Sequence, residues 1–302
     1  MPISLFPVTE HFAAEVGEID LAKPLDAGTL QAVRGAFAAY GVLVFPAQEL
    51  TIEQHLAFAS NFGPLETTVA VSMQGRKLRV REEIADIANL DVEGKVWHKN
   101  SRTRLFQMGN RLWHTDSSFK APSGYASLLY ARSVAPIGGH TEFADLRAAY
   151  DALPAATKDR LRGLIAEHSL IHSRGKLGFT EFTAEEKVAF APVARPLVRR
   201  IAESGRDSLY IASHIGRIRG MDDREALALV EDLVAHATQR QFVYTHRWRV
   251  GDLVMWDNRC TMHRGTEYED TRWVREMLRA TTSDRIDAFG LQEQPSAASA
   301  DY

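Results

Sequence analysis

Between Tyr125 and Thr282 the chain is cut into short apolar runs separated by glycine-containing turns, and this segmentation limits the fold more than any other feature. Strand-like runs occupy Tyr125 to Arg132, Thr141 to Ala144, Pro196 to Ile201, Ser208 to Ala212, Gln241 to Arg247, Asp252 to Trp256, Thr261 to Gly265 and Trp273 to Thr282. Helical periodicity covers about Leu146 to Ala166 and about Asp223 to Thr238, so helices interrupt the strands and do not alternate with them. A doubly wound sheet needs strict strand–helix alternation, whereas a β-sandwich or barrel with helical decoration does not. The expected class is mainly β with inserted helices.

The first hundred residues add two helices and a strand. Residues from about Gly28 to Tyr40 have helical spacing and lead into Gly41-Val42-Leu43-Val44-Phe45-Pro46, which reads as a buried strand. Thr51 then caps a helix running to about Asn61, with Gln54 at the capping-box position. From about Leu65 to Asn110 the pattern turns polar and loses its period. Such a segment is either a lid over a site or a solvated insertion. Residues 1–290 are expected to form a single domain, with 291–302, rich in Ser and Ala, as a flexible tail.

The net charge of −3 gives no general attraction to nucleic acid or to an anionic membrane. No apolar run is long enough to span a bilayer, and Met1-Pro2-Ile3-Ser4 lacks the pattern of an export signal. One cysteine, Cys260, excludes an internal disulfide and suits a reducing cytoplasm. The expectation is a soluble cytoplasmic protein that handles a small molecule.

Chemistry is concentrated at Trp113-His114-Thr115-Asp116 and at Met262-His263-Arg264-Gly265. On a strand, residues two apart share a face, so one strand can offer both His114 and Asp116 to one metal. Two histidines and a carboxylate on one face of an octahedral metal leave the remaining positions open, which suits a redox iron. His263 is the natural third donor; His140, His168, His172, His214, His236 and His246 are the alternatives, and each reads equally as a surface or core histidine. A shared site would require one domain closing over most of the chain.

The run Val274-Arg275-Glu276-Met277-Leu278-Arg279-Ala280-Thr281 puts Arg275 and Arg279 on one face if it is a strand. Two inward arginines are expensive unless each meets an anion, and guanidinium forks bind carboxylates. An edge strand with both arginines in solvent fits this segment as well. Thr141, in Gly138-Gly139-His140-Thr141, can donate to the same anion or simply flank a turn, and Asn110 is either a substrate contact or a turn residue.

Together, His114-x-Asp116, the Gly-Gly-x-Thr141 segment, Trp256-Asp257-Asn258-x-x-x-x-His263 and Arg275 resemble the iron(II)- and 2-oxoglutarate-dependent dioxygenases of the taurine dioxygenase family. The likeness runs from about Phe12 to Ser283 and is strongest toward the 2,4-dichlorophenoxyacetate dioxygenase branch, through Phe143 to Pro154, His246 to Cys260 and Leu278 to Thr282. The resemblance implies a double-stranded β-helix (jelly-roll, cupin-like) core and iron(II) held by His114, Asp116 and His263. It implies 2-oxoglutarate anchored on Arg275 and Thr141, with O2 as the other co-substrate. It implies an acidic substrate held by Arg279, near Asn110 and His214, and a homo-oligomeric assembly. Arg217 and Ile201 stand where the herbicide-degrading form is expected to carry histidines. The implied reaction hydroxylates the carbon next to the acidic group of an aryloxyalkanoate, with no residue acting as general acid or base. Alternatives are a taurine or alkylsulfonate dioxygenase and a non-catalytic metal-binding β-barrel.

Overall fold

The run Val42-Leu43-Val44-Phe45 is apolar at every position, and a strand of that kind has to be covered on both faces. The computed structural model, which describes residues 3–73, 75 and 77–284, covers it on both. In chain order the strands are β1 (Ser4–Pro7), β2 (Ala13–Gly17), β3 (Val42–Phe45), β4 (Ile84–Asp86), β5 (Gly124–Ser133), β6 (Thr141–Asp145), β7 (Ile165–His168), β8 (Val193–Pro196), β9 (Val198–Ile201), β10 (Arg206–Leu209), β11 (Ile215–Ile218), β12 (Val243–His246), β13 (Leu253–Asp257), β14 (Thr261–Gly265) and β15 (Glu276–Ser283). A seven-stranded sheet has the order β1-β2-β3-β13-β5-β15-β4, and a three-stranded sheet has the order β12-β6-β14. Only the β2–β3 pairing of these two sheets is parallel.

Alternation along the strands builds two apolar layers. Val42, Val44, Leu129, Val254, Trp256 and Met277 of the large sheet meet Phe143 and Tyr244 of the small one, so the two sheets face each other across a dry core. On the opposite face, Leu43, Phe45, Leu128, Met255 and Leu278 pack against Val33 and Phe37 of the helix Ala27–Tyr40 and Leu56 and Phe58 of the helix Ile52–Ala59. Each such side chain contributes about 1.5–3 kcal/mol by leaving water. The outer face of the small sheet is covered by a third layer, where Ala144 and Met262 pack with Leu229 and Leu233 of the helix Asp223–Ala237. This is a double-stranded β-helix with helices outside it.

The helix Ala27–Tyr40 starts at Asp26, whose side chain accepts from Thr29 N at 2.9 Å, and stops at Gly41, which takes φ 78°. Its last carbonyls, of Ala38, Ala39 and Tyr40, accept from the buried Arg147 guanidinium, which also pairs with Asp145. A cation at a helix C-terminus is stabilising, and here it joins that helix to the end of β6. The second helix carries the expected Thr51–Gln54 capping box.

Two departures from the expected elements have local causes. The helices expected from about Leu146 to Ala166 form as Leu146–Asp151 and Ala155–Leu161 but stop short of Ala166, because Gly163 takes φ 80° and Ile165 opens β7. Of Ser208 to Ala212 only Ser208 and Leu209 belong to β10; Tyr210 to Ala212 continue beyond the ladder yet are fully buried. Residues 291–302, expected to be a flexible tail, lie outside the described residues. Among the described residues no helix is long and apolar enough to cross a membrane.

Candidate active site

His114 and Asp116 are not on a regular strand. His114 makes an isolated antiparallel bridge with His263 on the edge strand β14, through His114 N to His263 O at 3.0 Å and the reverse bond at 2.8 Å. Thr115 Oγ1 donates to Thr261 O at 3.2 Å, after which the chain turns and Ser117 takes φ 54°. The turn carries Asp116 across to the large sheet, where Ser127 Oγ of β5 donates to its Oδ2 at 2.8 Å and the Arg279 guanidinium of β15 pairs with its Oδ1. Asn258 braces this corner: its Oδ1 accepts from Asp116 N and Trp256 Nε1, and its Nδ2 donates to Ser127 Oγ. The triad therefore joins both sheets at the open end of the β-helix.

The three side chains are buried and their donor atoms lie within 4.8 Å of one another. His114 Nε2 and His263 Nε2 each stand 3.7 Å from a different oxygen of Asp116. His114 Nδ1 lies 2.7 Å from Leu112 O, which can only accept, so the proton sits on Nδ1 and the Nε2 lone pair faces the cluster. Trp256 and Phe143 back the His263 ring at centroid distances of 4.6 and 6.0 Å, and its Nδ1 has no partner among the described residues. Burial holds the His114 imidazole at about 4 and His263 well below its ordinary value, so both rings are neutral donors at pH 7. Burial opposes ionisation of Asp116, but Arg279 and the two histidines outweigh it and keep its carboxyl at about 2. Two neutral imidazoles and one carboxylate fit a divalent metal, and the Arg279 cation sits on the oxygen such an ion would share.

A cavity of about 530 Å³ opens on this cluster. Its walls include His114, Asp116, Phe119, His214, Arg279 and Thr281, and much of the rest comes from Glu66 to Asn110. That polar stretch, with β4 and the short helix Arg102–Gln107 inside it, is thus a cover over the cavity and not a solvated insertion. A smaller cavity of about 80 Å³ adjoins it and is lined by Arg275, Tyr268 and Thr266; Asn110 and Gln107 border both.

Arg275, 8% exposed, lies just ahead of β15, shares the inward face with Met277 and Arg279, and looks into the small cavity. Its Nε donates to Gly139 O at 3.1 Å, its backbone N–H to Asn89 Oδ1 at 2.8 Å, and no carboxylate pairs with it among the described residues. Burial pushes its pKa below the ordinary arginine value. A buried unpaired guanidinium is costly, and the missing partner has the chemistry of a carboxylate. Thr141 heads β6 nearby; its Oγ1 accepts from Trp248 Nε1 at 2.9 Å and keeps its own proton to donate.

His214 is fully buried with its ring 6.0 Å from that of His114 and 4.8 Å from Phe119, and Ser173 Oγ lies 2.8 Å from its Nδ1. Asn110 Nδ2 donates to Gln107 Oε1 at 2.7 Å. Of the other histidines, His168 contacts Ser118 and His246 is paired with Asp252, away from the cluster. Arg217 pairs with Asp223 and Ile201 is in the core; neither lines the two cavities. Cys260 is buried and inert, as burial pushes its thiol up to about 12. Sequence reasoning missed Ser127, the one hydroxyl in the otherwise apolar Ala126-Ser127-Leu128-Leu129, and it missed Arg174, for which the sequence carried no signal.

A family model described as "Taurine catabolism dioxygenase TauD, TfdA family" matches residues 4–281. The chain is 45% identical to an alpha-ketoglutarate-dependent 2,4-dichlorophenoxyacetate dioxygenase of Cupriavidus pinatubonensis over 285 residues, covering 94% of this chain and 99% of that one. It is 37% identical to an (S)-phenoxypropionate/alpha-ketoglutarate-dioxygenase of Sphingobium herbicidovorans, covering 88% and 90% respectively. The solved structure of AAD-2 in complex with Mn(II) and N-oxalylglycine superposes with a TM-score of 0.90 at 48% identity, over 94% of this chain and 98% of that one. The arrangement at the mouth of the β-helix and these likenesses agree, and the chain belongs to the TauD/TfdA family of dioxygenases.

Proposed function

We propose that this protein is an Fe(II)- and 2-oxoglutarate-dependent oxygenase acting on an aryloxyalkanoate. It hydroxylates the carbon next to the acidic group. With an aryloxyacetate, O2 and 2-oxoglutarate, the products are a phenol, glyoxylate, succinate and CO2. The observation that carries this reading is Arg275, a buried guanidinium without a carboxylate, beside a three-donor His/Asp cluster. A bare structural metal site would need no such arginine.

His114, Asp116 and His263 would hold the iron, which when bound would supply the oxygen chemistry. Arg275 binds the far carboxylate of 2-oxoglutarate, and the Thr141 hydroxyl donates to it. Arg279 meets the acidic group of the substrate, with Asn110 and His214 against its body. Holding that group places the adjacent C–H bond at the metal face of the cavity, and the cover from residue 65 to 110 excludes water. Proton transfer is not asked of any side chain. The buried Cys260 suits a cytoplasmic enzyme, and the family resemblance favours a homo-oligomer, which light scattering on the purified protein would test.

The test is succinate release by iron-loaded protein with 2-oxoglutarate and either phenoxyacetate or taurine. Release that depends on phenoxyacetate is expected. Release with taurine alone would move the substrate to sulfonates, and oxygen uptake with neither would point to a different acid.

A further inference from the structure

Three buried arginines of this protein, Arg147, Arg199 and Arg259, are paired with carboxylates. Arg147 meets Asp145 and three helix carbonyls, and Arg259 meets Asp257 and Glu203. Arg174, at 6% exposure, is not paired in this way. It lies in the last turn of the helix Leu170–Gly175 and lines the large cavity beside His114, Asp116 and Arg279. Its Nε has no partner among the described residues, and its Nη1 reaches Ser173 Oγ only at 3.4 Å. Its guanidinium rests on the Phe106 ring, 4.6 Å from the centroid. The site is also built for it: a Cβ at Gly109 would overlap the guanidinium, so an unbranched backbone there leaves it room.

Arg279 alone does not account for anion binding in this cavity, since its charge is already met by Asp116. Burial, and then repulsion from Arg279, outweigh the attraction of Asp116 and pull the Arg174 pKa down to about 10, which leaves it charged at pH 7. Isolated buried charge of this kind costs stability and is expected to be met by something that enters the cavity. We infer that Arg174 is a second guanidinium of the substrate site, gripping the acidic group of the substrate together with Arg279. The assignment rests on the proposed acidic substrate. It makes Arg174 a determinant of preference for acids over neutral analogues of the same shape.

The experiment compares phenoxyacetate with its neutral amide, phenoxyacetamide, by calorimetric binding to the wild type and to Arg174→Met and Arg174→Lys. Succinate release is followed in parallel. Loss of a charge-assisted pair should weaken phenoxyacetate binding about ten- to hundredfold in Arg174→Met. Phenoxyacetamide binding and the KM for 2-oxoglutarate should stay within about twofold, and Arg174→Lys should recover part of the loss. Thermal unfolding of ligand-free Arg174→Met should be no easier than that of the wild type, because an unpaired buried charge is removed. Equal weakening toward acid and amide, or an unchanged preference for the acid, would overturn the inference. Absence of succinate release by the wild type would overturn the proposed reaction instead, and the acid-versus-amide comparison would still decide the role of Arg174.

Discussion

Replacing Arg275 by Met removes a buried cation while keeping much of its volume, and the structure sets what should follow. In the ligand-free protein the guanidinium donates from Nε to Gly139 O at 3.1 Å and meets no carboxylate among the described residues. Losing that bond costs about 1–3 kcal/mol, and relief from burying an unpaired charge offsets it. Stability should therefore change by no more than about 1–2 kcal/mol. Binding should change far more. Removing one partner of a buried, hydrogen-bonded charge pair costs about 2–5 kcal/mol. With the Thr141 hydroxyl still able to donate, the lower half of that range applies, so the KM for 2-oxoglutarate should rise about 30- to 300-fold at 1.4 kcal/mol per tenfold. The assay is succinate release with 2-oxoglutarate varied and phenoxyacetate saturating. A parallel series follows CO2 release from 2-oxovalerate, which has a methyl group in place of the far carboxylate. Arg275→Met should leave that second series nearly unchanged. An equal loss with both co-substrates would show that Arg275 supports the fold and not the carboxylate, and the reasoning would fail.

Asp116→Ala should abolish substrate-dependent succinate release while circular dichroism stays native, since the residue serves the cluster and not the apolar core; full turnover would refute the metal assignment. Leu128→Ala, in the fully buried layer between β5 and the first two helices, should lower stability to urea by about 2–5 kcal/mol. Asp252 is pressed toward a higher pKa by burial, but the His246 bond and the Arg249 backbone N–H outweigh this and hold it below its ordinary value. Its contribution should be complete above the unfolded value of about 3.9 and disappear as pH falls through the lower folded one. The urea midpoint of wild type minus that of Asp252→Asn should accordingly shrink on acidification below about pH 4; a difference that grows there would contradict the assignment.

Much of the fold was legible because strand period and turn residues are local. The all-apolar Val42 to Phe45, the Thr51–Gln54 capping box and the inward face shared by Arg275, Met277 and Arg279 all follow from spacing. The failures were also local in cause. Gly163 ends the helices before the Ala166 limit that the sequence suggests, and Ser117 at φ 54° turns the chain just after Asp116, where the spacing suggests a strand.

By itself the sequence determined which donors exist and which acids they suit: two histidines and an aspartate for a metal, two arginines on one strand face for anions. Those properties belong to single side chains and to a period of two. The tertiary structure decided who meets whom. Only the turn after Thr115 brings Asp116 to Ser127 and Arg279, and only the cover from residue 65 to 110 closes the cavity over them. Only packing leaves Arg174 beside the same cavity with no paired carboxylate among the described residues, because the cost of a buried charge is set by neighbours far away in the chain.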